Sequence, residues 1–168
     1  MEFELMVHVD AGLLAGDKDV RDLAQRISYE MFDDTSELDA RWRRDGDADA
    51  RLFVRDEFWS GNLLLCGEVW PHADPESLPF LGGRFIEIDE GFGAMAMEPD
   101  LVRVTSEYLS SLDIDELRTR NAQHFNHDGL LSVAEQLALG TTTIESLRDF
   151  YALAVRDGKA VLKAAAAV

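Results

Sequence analysis

The chain is short of cysteine, of lysine and of long apolar runs, and each shortage removes a class of protein. One cysteine, Cys66, in 168 residues excludes an internal disulfide and, with it, the disulfide-stapled secreted scaffolds. No window of about 18 apolar residues occurs, so no segment reads as a membrane-spanning helix. The opening MEFELMVHVD lacks the basic segment and apolar run of a secretion signal, and a cytoplasmic location is expected. Positive charge is scarce: 16 Lys and Arg stand against 33 Asp and Glu, a net charge of -17. Such a surface repels phosphate backbones and anionic headgroups, so neither nucleic acid nor membrane is expected as a partner. Thirteen of the basic residues are Arg, the usage of a GC-rich bacterial coding sequence.

Apolar residues are plentiful at 46%, enough buried surface to offset the chain entropy of folding. The length fits one domain over residues 1–168, with a frayed tail expected at 164–168. Phe3, Leu5, Val7 and Val9 alternate with Glu2, Glu4, Met6 and His8, which predicts a strand with one buried face. Val20, Leu23, Ala24, Ile27 and Met31 recur at helical spacing behind Asp17 and Asp19, predicting a helix over 19–32 with an acidic cap. Residues 33–50 are densely charged and read as a polar excursion. Residues 51–72 are ambiguous between a hairpin turning at Ser60-Gly61-Asn62 and a helix carrying Phe58, Trp59, Leu63 and Leu64.

Pro99 suits a first helical turn, and a helix over 99–112 is predicted. Asp113-Ile-Asp-Glu116 and Thr142-Thr-Ile-Glu145 both have capping-box spacing, so each is expected to open a helix. The second is expected to stop at Gly158 and give way to a closing strand in KAVLK. Strands and helices without regular alternation point to an α+β domain, a mixed or antiparallel sheet packed against several helices.

Candidate chemistry is thin. The stretch GGRFIEIDEGFGAMAMEPD, residues 82–100, is rich in glycine before a helix, as a phosphate cradle would be. It has neither the Lys-Ser/Thr of a Walker loop nor the G-x-G-x-x-G order of a dinucleotide site. Its acids Glu87, Asp89, Glu90, Glu98 and Asp100 oppose an anion, so the glycines are expected to bound a strand at 84–89. Asp45, Asp47 and Asp49 occupy positions one, three and five of a calcium loop. Ala50 stands where the sixth position needs Gly, and Asp56 where the twelfth needs a bidentate Glu, so a solvated acidic loop is expected.

His124 and His127 lie three apart, off the four-residue spacing of a helical zinc pair, and no third ligand is evident. Neither a metal nor a cofactor is expected. Cys66 precedes Glu68 in an anionic chain, which disfavours a reactive thiolate, and it reads as a small buried apolar residue. No G-x-S-x-G elbow occurs. Close carboxylates such as Glu87 with Asp89 or Glu90 arise by chance among 33 acids. Trp42, Trp59 and Trp70 read as core or interface residues.

Three segments carry a family likeness: DEFWSGNLLLCGE, then LGGRFIEIDEGFGAMAMEPDLVRVTSEYLSSLDIDELRTR, then ESLRDFYALAVRDGKAVLKAA. Their order, from about residue 55 onward, resembles the YfbM-like family of bacterial proteins of unknown function. The resemblance implies a single α+β domain and a helix, not a hairpin, over 56–66. It transfers no catalytic residues. Strong negative charge without an ordered reactive set leads to a non-enzymatic acidic module that docks a basic protein, as an inhibitor or immunity protein does. The alternative is an enzyme or small-ligand binder whose site assembles only in the fold, with Trp70, His72 or the 85–97 strands lining its pocket.

Overall fold

The computed structural model describes residues 2–30, 51–54, 57–68, 74–89, 92–125 and 131–167. Strand β1 (Glu2–Val9) is followed by a single turn, α1 (Ala11–Leu14), and by α2 (Asp17–Glu30). Next come β2 (Arg51–Val54) and α3 (Glu57–Cys66), then β3 (Arg84–Asp89) and β4 (Phe92–Met97). Helices α4 (Pro99–Ser111), α5 (Ile114–Asn121) and α6 (Val133–Arg156) lead to β5 (Ala160–Ala167).

The strands form one sheet in the order β2-β1-β5-β4-β3, and every pairing is antiparallel. The chain's last strand therefore sits at the centre, between β1 and β4. The alanine tail is drawn into it as far as Ala167, opposite Glu2, where the sequence reading expected fraying from residue 164. The domain is α+β, as the mixed pattern predicts.

Helices cover both faces of the sheet. Val7 and Val9 of β1, with Ala160, Leu162 and Ala164 of β5, meet Val20, Ala24 and Ile27 of α2. On the opposite face Met6 and Val161 meet Leu64 and Leu65 of α3, Val102 and Leu109 of α4, and Ile144, Leu147, Phe150 and Tyr151 of α6. This corrects the one-faced reading of β1. Met6 is fully buried and His8 half-buried, because the strand lies between two helical layers, not on one. Helix α2 begins at Asp17, so the expected cap residues fall inside its first turn.

Residues 57–66 are a helix, as the family likeness implies. Its periodicity is unreadable because Ser60, Gly61, Asn62, Leu64 and Leu65 are all buried, and a helix enclosed on most sides shows no polar stripe. It packs against α6 through two glycines. A Cβ on Gly140 would lie 2.6 Å from the Ser60 carbonyl oxygen, and one on Gly61 would lie 3.0 Å from both Phe80 and Thr143. The missing side chains let the two backbones approach closely.

That contact also explains a wrong boundary. Helix α6 does not open at Thr142 but runs unbroken from Val133, with Gly140 in its interior. Thr141 and Thr143 turn their hydroxyls back to the carbonyls of Leu137 and Leu139, each at 2.8 Å, so they bond within the helix and do not cap it. The true capping box is Ser132-Val-Ala-Glu135, where the Ser132 amide donates to Glu135 at 2.8 Å and the Glu135 amide returns to the Ser132 hydroxyl at 3.3 Å. Asp113 does cap α5, accepting from the amides of Asp115 and Glu116 at 2.9 and 3.0 Å.

Candidate functional site

The glycine stretch is a structural device. Gly83, at φ 122°, turns the chain into β3, a conformation that side chains rarely adopt. The helix that follows opens only after β4, with Pro99 in its first turn, so Gly82 and Gly83 are two strands from the helix entrance and Gly93 lies within β4, paired with Glu87. Asp45, Asp47, Asp49 and Asp56 lie outside the described residues, as do Trp42, Trp70, His72, Glu90 and His127. Trp59 packs half-buried against the α3–α6 core. Among the described residues no three His, Cys, Asp or Glu side chains gather into a metal-holding group.

A polar cluster surrounds the C-terminal end of α3, where unsatisfied carbonyls need donors. Asn121 supplies one to the Leu64 carbonyl at 2.8 Å, and Arg120 reaches the Leu65 carbonyl at 3.5 Å. The Cys66 thiol donates to the Asn62 carbonyl at 3.3 Å. Gly67 leaves the helix at φ 76°, its α-carbon close under the exposed His124 ring. Cys66 is half-buried, not enclosed as the sequence suggested, because the helix ends there.

Burial pushes the Cys66 thiol above its ordinary pKa, with the Glu68 and Glu76 charges adding to the rise. Burial also pushes the half-buried Tyr108 phenol up to about 12, again with Glu76 adding. Both groups are therefore protonated at neutral pH, which suits hydrogen bonding and opposes nucleophilic attack. The cluster closes a helix end.

Two open grooves flank α6. One, of about 530 Å³, runs between β2 and α6 and is lined by Arg51, Leu52, Asp149, Phe150, Leu153 and Arg156, among others. The other, of about 540 Å³, lies where α4 turns into α5 against α6, with Asp113, Asp115, Arg118, Glu145 and Arg148 on its walls. In the second, Arg148 turns its guanidinium to the end of α4: Nε donates to the Leu109 carbonyl at 2.7 Å and Nη2 to the Leu112 carbonyl. A cation there complements the negative end of the helix dipole.

The same habit recurs elsewhere. Arg84 donates to the Leu14 carbonyl at 3.1 Å, and the buried Lys163 to the Leu78 carbonyl at 2.9 Å. Exposed carboxylates are left in excess. Asp115, Glu116, Glu145 and Asp149 are all exposed and form no ion pair among the described residues. No sequence pattern signals this division, since an arginine's partner in the fold is invisible along the chain.

The antiparallel sheet, centred on the C-terminal strand and enclosed by helices on both faces, defines an α+β domain of two helical layers. The chain belongs to the family described as Domain of unknown function (DUF1877), which matches residues 56–164. The matched region starts at α3 and ends within β5. The crystal structure of YfbM from Escherichia coli, a protein of unknown function, superposes with a TM-score of 0.62 at 18% identity, covering 98% of this chain and 99% of that one. That likeness establishes a shared fold, and it extends to β1, α1, α2 and β2, which the family match does not reach. No curated protein matches the chain.

Proposed function

We propose that the protein is a non-enzymatic cytoplasmic binding module whose acidic surface docks a basic protein. The observation that carries this reading is the inward use of its cations. Arg84, Arg120, Arg148 and Lys163 donate to main-chain carbonyls, and Arg120 and Arg148 form no ion pair among the described residues. With 16 basic residues against 33 acidic ones, that leaves carboxylates on α5 and α6 to set the field outside the molecule. The groove at the α4–α5 corner offers Asp113, Asp115 and Glu145 to incoming Lys or Arg side chains, a complementarity that speeds encounter and selects partners by charge.

Immobilised full-length chain, challenged with lysate at low and at high salt, tests the reading. The expected result is a basic protein held at low salt and released at high salt, and lost when Asp115 and Glu145 are both changed to Lys. Recovery of no salt-sensitive basic protein overturns it.

A further inference from the structure

We infer that the outer edge of β3 is a docking strand, to which an extended segment of a basic protein adds as a further strand beside Phe85 and Glu87. The inference rests on the acidic-docking reading and gives it a location and a binding mode.

Strand β3 ends the sheet, and among the described residues it pairs only with β4. The direction of its backbone groups follows from one contact. The Ile86 carbonyl oxygen lies 2.6 Å from the position a Cβ on Gly93 would take, so Ile86 faces β4. Backbone groups alternate along an antiparallel strand, which turns the N–H and C=O of Phe85 and Glu87 outward. These are the groups that a strand-adding peptide uses.

The side chains of the same two residues are also available. Phe85 is 58% exposed, the most exposed of the large apolar residues among those described, and its ring lies over Gly93, where a Cβ would stand 2.3 Å from it. Glu87 is exposed and forms no ion pair among the described residues. Ile86 between them is buried in the α2-side core and anchors the strand. Proteins ordinarily blunt an edge with charged side chains, Pro or a bulge. Here RFIEID carries Arg84, Glu87 and Asp89 but no Pro, Phe85 stands exposed between the first two charges, and the one irregularity falls after Glu87, leaving Arg84 to Glu87 in regular register.

Charge decides the occupant. A second copy would join two molecules that each carry -17, and the register that sets Glu87 against Glu87 places like charges directly opposite, which is destabilising. A segment that carries an apolar residue and, two positions away on the same face, a Lys or Arg sets an apolar side chain on Phe85 and a cation beside Glu87.

The test titrates the nitrogen-15-labelled chain with a peptide repeating Val-Thr-Lys-Thr (the Val-Lys peptide), which places Val and Lys two residues apart on one face, and separately with one repeating Gly-Ser-Lys-Ser (the Gly-Lys peptide), of equal charge and weak strand propensity. The expected result is slowed hydrogen exchange and shifted resonances at the Phe85 and Glu87 amides with Val-Lys only. Glu87→Pro deletes the outward N–H while sparing the bonds to β4, and weakens that binding about tenfold. Glu87→Lys keeps the N–H and transfers preference to a Val-Glu peptide, an independent check should the proline variant not fold.

Salt-sensitive binding that shifts only α5 and α6 amides overturns the edge site and leaves the acidic-docking reading intact. If neither peptide shifts any amide, both fall. Protection of Phe85 and Glu87 that grows with protein concentration in the absence of peptide makes a second copy the occupant and also overturns the inference.

Discussion

The Tyr151 hydroxyl, buried near the C-terminal end of α6, donates to the Pro79 carbonyl at 2.8 Å, seventy-two residues earlier in the chain. The neighbouring Leu78 carbonyl accepts from Lys163 of β5 at 2.9 Å. Two consecutive carbonyls of an irregular segment are thus held by side chains of the last helix and the last strand. A segment that supplies no ladder of its own needs such donors, because buried carbonyls without partners are costly.

Tyr151→Phe therefore removes a donor and leaves the Pro79 oxygen enclosed. The expected loss is about 1–3 kcal/mol, read as a lower urea midpoint with an unchanged slope. A midpoint equal to that of the parent chain removes the tyrosine from the list of anchors.

Gly140→Ala places a methyl 2.6 Å from the Ser60 carbonyl oxygen and 3.1 Å from the Leu64 Cβ. Helix propensity favours Ala by about 1 kcal/mol, but overpacking against backbone costs about 1–3 kcal/mol. The clash is with main chain, which cannot swing aside, so net destabilisation is expected. A raised thermal midpoint contradicts the close approach of α3 and α6.

His8 lies with its ring 4.3 Å from that of Phe150 and its Nε2 3.0 Å from the Phe150 carbonyl oxygen. Burial lowers its pKa from 6.5, while that carbonyl and Asp157 act in the opposite sense. A histidine with a depressed folded-state pKa binds fewer protons when folded. Its stabilising contribution is full above the unfolded value of 6.5 and is lost as the pH falls through the folded one. Thermal midpoints measured between about pH 7 and 5 are expected to fall less steeply for His8→Gln than for the parent chain; parallel curves refute the assignment.

Cys66 is half-buried with a raised thiol pKa. At neutral pH its alkylation by iodoacetamide is expected to run slower than that of free cysteine, because the thiolate is the reacting species. Faster alkylation means that the cluster at the end of α3 activates the thiol.

Much of the fold was legible along the chain. Strand β1, the Pro99 helix, the Asp113 cap, the 84–89 strand and the closing strand each announced themselves by period or by turn chemistry. Three features misled the reading, each for a physical reason. Helix α3 is enclosed and shows no stripe; Gly140 and the threonines after it imitate a helix start while serving a helix contact; β1 shows a clean alternation although both its faces are covered. Ser132-Val-Ala-Glu135 was written in the sequence with the same spacing as the two boxes that drew attention.

The sequence by itself determined the charge, the single thiol, the α+β class and the family, because composition and local period act over a few residues and need no partner. Only the tertiary structure decided which face each strand buries, that the last strand lies at the sheet's centre, and that Arg84, Arg120 and Arg148 turn to the carbonyls of helix ends. Those outcomes depend on contacts between residues far apart in the chain, such as Tyr151 with Pro79 and Gly140 with Ser60, and no local pattern encodes which distant carbonyl a donor will meet.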